Sequence, residues 1–250
     1  IVCFVTKTVR TQISSIDQTL VNAMIRLQQS MYNEQWSNYL TSSDIHNEDG
    51  SMTEGFEEKC LPIESLECYF MFSLIWCIGV TIDDDGRPDF NVFMKNFLNS
   101  GVDCLEDFKT VQTALMLRKW KPPVFPNQKE WHRFKAPMPN VGVVYDYCYI
   151  GPYDATQAKD NRPGEWRQWS DMIDTTPIPS DAKFSNIVIP TKMTAQLSYV
   201  VHHLVTVGAP ILITGPTGTG KSVFVSQLLN HELPQDKWTP IEVAFSAKTT

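Results

Sequence analysis

The sequence has no long apolar run and no surplus of positive charge. Its longest apolar stretch, residues 68–82, falls short of the roughly 20 residues that a membrane-spanning helix needs, so we interpret it as a buried helix. The formal net charge is -7 at pH 7, which argues against a general nucleic-acid surface, because such surfaces are basic. We therefore expect neither a membrane nor a nucleic acid as a partner.

The six cysteines form no recognisable metal or redox motif. They are scattered, they include no C-x-x-C pair, and no histidine stands at metal-ligand spacing. We therefore expect buried, reduced thiols in an intracellular protein, and no zinc site. Hydrophobic residues make up 42% of the 250 residues, which predicts a packed core.

Residues 215–222 carry the strongest motif. They read GPTGTGKS and fit G-x-x-x-x-G-K-[S/T], the phosphate-binding loop of P-loop nucleotidases. The β-branched, apolar residues 209–214 before it predict a buried strand. Apolar residues at helical spacing after it predict a helix from near Lys221 to near Pro234. The alternative is a glycine-rich turn without a ligand, which does not account for the lysine, the serine and both flanks together.

The chemistry of the loop follows from its residue types. Its glycines let the backbone turn tightly and bring successive N–H groups against phosphate oxygens, at the positive end of the helix that follows. Lys221 would reach the β- and γ-phosphates, and the Ser222 hydroxyl would be a ligand of Mg²⁺. We expect ATP or ADP with Mg²⁺ as the ligand, held by Gly215, Pro216, Thr217, Gly218, Thr219, Gly220, Lys221, Ser222 and Val223.

Both ends suggest a segment of a longer polypeptide. The first residue is Ile1 rather than Met, and no signal peptide precedes it. Residues 241–245 are typical of a second strand, whereas a P-loop domain needs several more strands to complete a parallel sheet. No catalytic residue is identifiable in this sequence.

The first 120 residues are predicted to be helical. Residues 1–36 predict two helices, the second with an apolar stripe of Leu20, Met24, Leu27 and Met31 and an N-cap among Ser14, Ser15 and Asp17. A buried helix is expected to open at Pro62, with Glu64 in its first turn, and another to cover residues 90–98, packing through Phe93, Phe97 and Leu98.

Residues 83–86, DDDG, raise the possibility of a calcium loop. With Gly86 at loop position six, Thr81 and Val92 take the positions where an EF-hand needs Asp and a bidentate Glu. We therefore predict a solvated turn between two helices.

Proline becomes frequent between residues 121 and 191. Residues 141–150 predict a strand, with residues 166–169 as its antiparallel partner. The interleaved basic and aromatic residues 131–135 raise the alternative of single-stranded nucleic acid, but the overall acidity favours ordinary packing. Thr191 is expected to cap a helix that runs to about Val207, in which His202 and His203 are surface or packing residues.

Taken together, these motifs resemble dynein heavy chains. Residues 187–191, a helix, GPTGTGKS and FSAKTT at 245–250 are similar to the start of the third AAA+ module of that family. FSLIWCIG at 72–79 resembles the helical region that closes the second module, and VYDY at 144–147 with WRQWS at 166–170 resembles the extension between them. The TGT form of the loop and the FSA ending favour axonemal over cytoplasmic dyneins.

The resemblance implies an α/β fold with three parts. They are a helical lid-type subdomain over 1–120, a Pro/Trp-rich extension with a β-hairpin over 121–183, and the incomplete start of a P-loop AAA+ parallel-sheet domain over 184–250. It implies that residues 215–222 are the Walker A loop and that Ile189 lies at an adenine pocket.

The resemblance also implies a function in an ATP-driven, microtubule-based motor of the cilium or flagellum, located in the cytoskeleton. The nucleotide site here would be regulatory, and the fragment alone a poor ATPase. Expected partners are the neighbouring AAA+ modules of the same chain, the microtubule through parts outside this sequence, and dynein intermediate and light chains. The alternatives are a nucleotide held for structure alone and a non-dynein AAA+ remodelling ATPase.

Overall fold

The computed structural model describes residues 5, 11, 17–40, 63–100, 138–152, 164–173, 189–243 and 245. The chain divides into two compact units, Ile1–Met172 and Ile173–Thr250. The predicted division at residues 120 and 183 into three parts stays a prediction. Within the described ranges, no helix is both long enough and apolar enough to cross a bilayer.

Two long helices pack against each other in the first unit. Helix α1 covers Asp17–Leu40 and helix α2 covers Ile63–Cys77. The stripe predicted on α1 is buried at Leu20, Leu27 and Met31. Contacts between the helices include the Tyr32 hydroxyl, which donates to the Leu66 carbonyl oxygen at 3.2 Å. The apolar side chains of α2 are largely enclosed, as its sequence predicts.

Helix α3 covers Arg87–Ser100 and follows a short 3-10 turn at Gly79–Thr81. In the connecting turn, the Asp83 carboxylate accepts the Gly86 backbone N–H at 2.9 Å, and Asp84 pairs with Arg87 at 3.0 Å. This local pairing confirms the predicted turn between two helices. Buried residues of α3 are Phe90, Phe93 and Met94, while the side chains predicted to pack at positions 97 and 98 lie outside the described residues.

Of the two helices predicted within residues 1–36, the second is α1; of the first, the structure describes Val5 alone, which is helical. Position 14 and position 15, two of the candidate caps of α1, lie outside the described residues. Thr11 forms an isolated antiparallel bridge with Ile82.

The predicted β-hairpin is present and shorter than expected. Strand β1, Tyr147–Ile150, pairs antiparallel with strand β2, Glu165–Gln168, with Tyr147 opposite Gln168. The prediction of a strand over 141–150 is wrong for its first half. Gly142 has a φ of 70°, and the Asp146 carboxylate accepts the Val143 N–H at 2.9 Å, so the chain turns through a 3-10 segment, Val144–Asp146, instead of extending.

The segment after the hairpin packs on α2 through aromatic rings. Trp169, predicted as the last residue of the second strand, instead begins a 3-10 segment, Trp169–Met172. Its fully buried ring lies 5.4 Å from the ring of Trp76 at 84° and 6.2 Å from that of Phe72. Edge-to-face geometry of this kind is favourable for aromatic pairs. The buried thiols of Cys68 and Cys77 lie on the same helix, and burial raises the pKa of each to about 12, so both remain protonated at neutral pH.

The second unit contains helix α4, Lys192–Thr206, and helix α5, Lys221–Gln227, which continues as one π-helical turn, Leu228–Glu232. Thr191 caps α4 as predicted: its hydroxyl oxygen accepts the Thr194 N–H at 3.2 Å, and the Thr194 hydroxyl oxygen accepts the Thr191 N–H at 2.7 Å. Gly208, with a φ of 66°, follows the end of α4.

The two strands predicted in the second unit are not formed by the residues of 209–214 and 241–245 that the structure describes. Residues 209–214 have no regular structure, and Leu212 is 87% exposed rather than buried. Residues 241–243 are likewise irregular and exposed. A strand is stabilised by its ladder to a neighbouring strand. The described part of this unit offers neither segment such a neighbour, which is why their apolar residues remain at the surface.

Candidate functional site

The glycine-rich loop, residues 215–220, connects the irregular segment 209–214 to α5. Gly218 and Gly220 have φ values of 82° and 79°, a backbone conformation that other residues rarely adopt. A β-carbon placed on either glycine would meet no atom within 4 Å. The loop therefore needs these glycines for its backbone conformation, and its outer surface is open at both of them.

Lys221 folds back over the loop that precedes it. Its ammonium donates hydrogen bonds to the carbonyl oxygens of Gly215, at 2.9 Å, and Pro216, at 2.5 Å. A third bond, at 3.3 Å, goes to the Thr219 hydroxyl oxygen. The positive charge of Lys221 is thereby held directly against the loop backbone, where a phosphate-binding loop needs it.

Helix α5 begins immediately after the loop. Gly220 is its N-cap residue, the Gly220 carbonyl oxygen accepts the Phe224 N–H at 2.9 Å, and no side chain caps this end. The first N–H groups of a helix have no carbonyl partner within the helix. Ser222 and Val223 lie in this first turn and are exposed.

A small apolar core holds α5 in place. Val201 of α4, with Leu228 and Leu233 after α5, forms its buried centre. Partly buried side chains surround that centre: Val205, Phe224, Leu229 and Trp238. The loop is therefore carried by a helix that is anchored from its middle onward, which positions Lys221 and Ser222.

The predicted site residues are brought together at this loop, with one exception. Residues 215–223 are contiguous and form the loop and the first turn of α5. Ile189 is 67% exposed and lies two residues before the cap of α4. Its assignment to an adenine pocket stays a prediction.

A polar group beyond the loop was not predicted from the sequence. The Ser226 hydroxyl donates to a Glu242 carboxylate oxygen at 3.2 Å, and the Asn230 side-chain amide donates to the Ser226 carbonyl oxygen at 2.8 Å. These bonds connect α5 to the segment around residue 242. The only signal in the sequence is the four-residue spacing of Ser226 and Asn230, which places them on one helix face.

The residues present fit a nucleotide phosphate with its metal ion. The loop combines open glycine positions, an ammonium group, a helix start without a side-chain cap and the exposed Ser222 hydroxyl in the first turn. A hydroxyl and phosphate oxygens are ligands that suit Mg²⁺. Across the described ranges, His, Cys, Asp and Glu form no group of three or more that could hold a metal ion by themselves.

Two family models match the chain, one for each part. Residues 1–171 match the dynein heavy chain AAA lid domain, and residues 176–250 match the P-loop containing dynein motor region. The junction between the two matches lies beside the boundary of the compact units at residues 172 and 173.

Similar full-length proteins include axonemal dynein heavy chains. Dynein axonemal heavy chain 12 of Mus musculus is 33% identical over 182 residues, which cover 72% of this chain and 5% of that protein. Dynein axonemal heavy chain 3 of Mus musculus is 29% identical over 233 residues, or 92% of this chain and 5% of that protein. The chain thus spans about 5% of the length of these relatives.

The two family matches together cover nearly the whole chain, and the P-loop match contains the loop on which Lys221 is folded. The chain belongs to the dynein heavy chain family, of which it carries the AAA lid domain and the P-loop motor region.

Proposed function

We propose that the glycine-rich loop is a regulatory nucleotide-binding site in the motor ring of a ciliary or flagellar dynein heavy chain. The observation that carries the proposal is the placement of the Lys221 ammonium against the carbonyl oxygens of Gly215 and Pro216, at the start of α5. A fixed positive charge beside open backbone N–H groups is what the phosphates of ATP or ADP require.

Each residue has a separate task in this proposal. The backbone N–H groups of Gly218 and Gly220 and of the first turn of α5 bind phosphate oxygens, and Lys221 neutralises the charge on the β- and γ-phosphates. Ser222 would supply a hydroxyl ligand to Mg²⁺, which would offset the negative charge of the phosphates. Ile189 and Val223 are proposed to contact the nucleotide beyond its phosphates.

Binding, rather than hydrolysis, is the role that these residues support. Hydrolysis also requires a group that positions the attacking water and a charge that stabilises the transferring phosphoryl group. No described residue is assigned to either task. Nucleotide here is therefore proposed to regulate the motor, with neighbouring AAA+ modules of the same heavy chain as the partners that respond to it.

The setting of the site follows from the family. Three partners are proposed for the complete heavy chain: the microtubule, through parts of the chain outside this sequence, and dynein intermediate and light chains. The location is proposed to be the axoneme, because the relatives named above are axonemal heavy chains.

Density at Lys221 and Ser222 in the complete motor tests the proposal. Motors prepared with saturating ATP or ADP and Mg²⁺ are expected to show nucleotide on the loop. Lys221→Ala should remove that density and change microtubule gliding velocity. Lys237→Ala is the matched control, because Lys237 is an exposed lysine of the same unit that lies outside the loop.

Three results would contradict the proposal. An empty loop at saturating nucleotide, in a well-ordered map, would show that the loop is a turn without a ligand. Nucleotide density and gliding that both stay unchanged in Lys221→Ala would show that Lys221 does not hold the nucleotide. Loss of the density in Lys221→Ala without any change in gliding velocity would overturn the regulatory part.

A further inference from the structure

We infer that Thr219 is a positioning residue for Lys221: its hydroxyl holds the third donor of the lysine ammonium until a phosphate oxygen replaces it. The inference deepens the proposed function and rests on it. Thr219 occupies a variable position of the G-x-x-x-x-G-K-[S/T] pattern, so the pattern itself requires no hydroxyl there.

The hydrogen-bond geometry fixes the roles of the two side chains. The Thr219 hydroxyl donates to the Pro216 carbonyl oxygen at 2.9 Å. A hydroxyl has a single hydrogen to donate, so toward the Lys221 ammonium, 3.3 Å away, it acts as an acceptor. Pro216 accepts from both side chains, because a carbonyl oxygen has two lone pairs. Lys221, Pro216 and Thr219 therefore form a closed ring of hydrogen bonds.

The ring and the bond to Gly215 together account for every donor of the lysine. An ammonium has three N–H donors, and the three acceptors are the carbonyl oxygens of Gly215 and Pro216 and the Thr219 hydroxyl. A long, flexible lysine side chain would otherwise sample many rotamers at this half-exposed position. The ring keeps the ammonium over the loop in one place while the loop is empty.

The three bonds differ in how readily they can be exchanged. The bond to Thr219 is the longest of the three, and its acceptor is a neutral hydroxyl. A phosphate oxygen carries negative charge and forms a stronger, charge-assisted bond with an ammonium. Binding of the phosphate therefore replaces the Thr219 bond, while the two carbonyl bonds keep Lys221 aligned.

Two substitutions of Thr219 separate the effect of its hydroxyl from the effect of its side-chain shape. Thr219→Val keeps the β-branched shape and removes the hydroxyl, whereas Thr219→Ser keeps the hydroxyl and removes the methyl group. The readout is the ADP concentration that half-fills the loop of the full-length heavy chain, taken from nucleotide density over a concentration series. Wild type and Lys221→Ala are measured alongside.

The hydroxyl role predicts a specific pattern. Because the Thr219 bond is present only while the loop is empty, Thr219→Val should lower the half-filling concentration about twofold to tenfold, the equivalent of one hydrogen bond that no longer has to be broken, and Thr219→Ser should stay at the wild-type value. A purely structural role of the side chain predicts instead that Val stays close to wild type and that Ser raises the half-filling concentration.

The results that overturn the inference are distinct from those that overturn the proposed function. If the wild-type loop fills, Lys221→Ala empties it and Thr219→Val matches wild type or raises the half-filling concentration, Thr219 has no positioning role and the nucleotide site stands. A positioning role of the hydroxyl is equally excluded if Thr219→Ser changes the half-filling concentration as much as Thr219→Val does. If the wild-type loop does not fill at any ADP concentration, both the inference and the proposed function are wrong.

Discussion

Ser65 of α2 and Tyr149 of β1 share a buried hydrogen bond, with their hydroxyl oxygens 2.9 Å apart. Both residues are buried, and 84 positions of sequence separate them. Burial raises the pKa of Tyr149 to about 12, and the bond to Ser65 acts in the opposite direction. The bond joins the hairpin to the helix that forms the centre of the first unit.

Substitutions of the two partners of this bond should not be additive in their effects on stability. Tyr149→Phe takes a buried partner from the Ser65 hydroxyl, and we expect a loss of about 1–2 kcal/mol in local stability. The double variant, Tyr149→Phe with Ser65→Ala, should lose less stability than the sum of the two single variants, because the hydroxyl left without its partner is also removed. Hydrogen exchange of α2 and β1 amides in the full-length heavy chain measures these differences.

Tyr147→Phe provides the control for this pair. It makes the same chemical change in the same strand, but its hydroxyl donates to the Val141 carbonyl oxygen at 2.8 Å and not to Ser65. The losses of stability caused by Tyr147→Phe and by Ser65→Ala should therefore add. If the losses caused by Tyr149→Phe and by Ser65→Ala also add, a direct bond between Ser65 and Tyr149 is contradicted.

Gly79→Ala should destabilise the region where the 3-10 turn meets α3. A β-carbon at this position would lie 2.5 Å from the Phe90 Cε1 atom and 3.2 Å from the Tyr145 hydroxyl oxygen. Phe90 is fully buried, so its ring has little room to move, and overpacking of this kind costs about 1–3 kcal/mol. Faster amide exchange in α3 would report the loss.

A second substitution tests whether the contact with Phe90 causes the destabilisation by Gly79→Ala. Phe90→Leu shortens the side chain that faces the new methyl group, so Gly79→Ala should cost less in the Phe90→Leu background than in the wild type. An equal cost in both backgrounds would place the strain elsewhere.

Features that depend on local sequence could be predicted. The cap at Thr191 and the start of α5 at Lys221 follow from neighbouring residues, and the structure confirms both. The presence of a hairpin was also predicted and is confirmed, but its strands, Tyr147–Ile150 and Glu165–Gln168, differ from the predicted 141–150 and 166–169. The loop residues 215–222 follow from a contiguous motif.

Features that depend on distant partners could not be predicted. Residues 209–214 have the composition of a strand, but composition does not provide the neighbouring strand that a ladder requires. The ring that joins Lys221, Pro216 and Thr219 depends on how the loop closes in three dimensions. Ser226 and Glu242 meet across 16 positions, which no periodicity indicates.

Loss of the cap at Thr191 should loosen the first turn of α4. Thr191→Ala removes the oxygen that accepts the Thr194 N–H, and caps of this kind contribute about 1 kcal/mol. Amides of residues 192–196 should exchange faster, while those near Val201, in the core, should change less. Thr191→Ser keeps the hydroxyl and should restore protection. If it does not, the threonine acts through its methyl group and not as a cap.

His203 is the titratable group of α4 that is most deeply enclosed among the described residues, with 4% of its surface exposed. Its ring lies 4.5 Å from the ring of Tyr199 in an edge-on arrangement. Burial lowers its pKa from 6.5 to about 3, and the charge of the adjacent His202 contributes to the same shift. Burial also lowers the pKa of His202, and the nearby charge of Glu232 offsets part of that shift by raising it.

The second unit should therefore lose stability as the pH falls. In the folded unit His203 stays neutral, whereas in the unfolded chain it takes up a proton near pH 6.5. The contribution of neutral His203 to the free energy of unfolding is therefore fully present above pH 6.5 and declines toward pH 3. Below pH 6.5 the free energy of unfolding should fall by about 1.4 kcal/mol per pH unit.

Two variants test this pH dependence. His203→Phe keeps an aromatic ring beside Tyr199 and should flatten the dependence, while substitution of the exposed His231 by Gln should preserve it. Amide exchange of α4 between pH 7 and pH 5, corrected for intrinsic rates, measures the slope, and an unchanged slope in His203→Phe would assign the titration to another group.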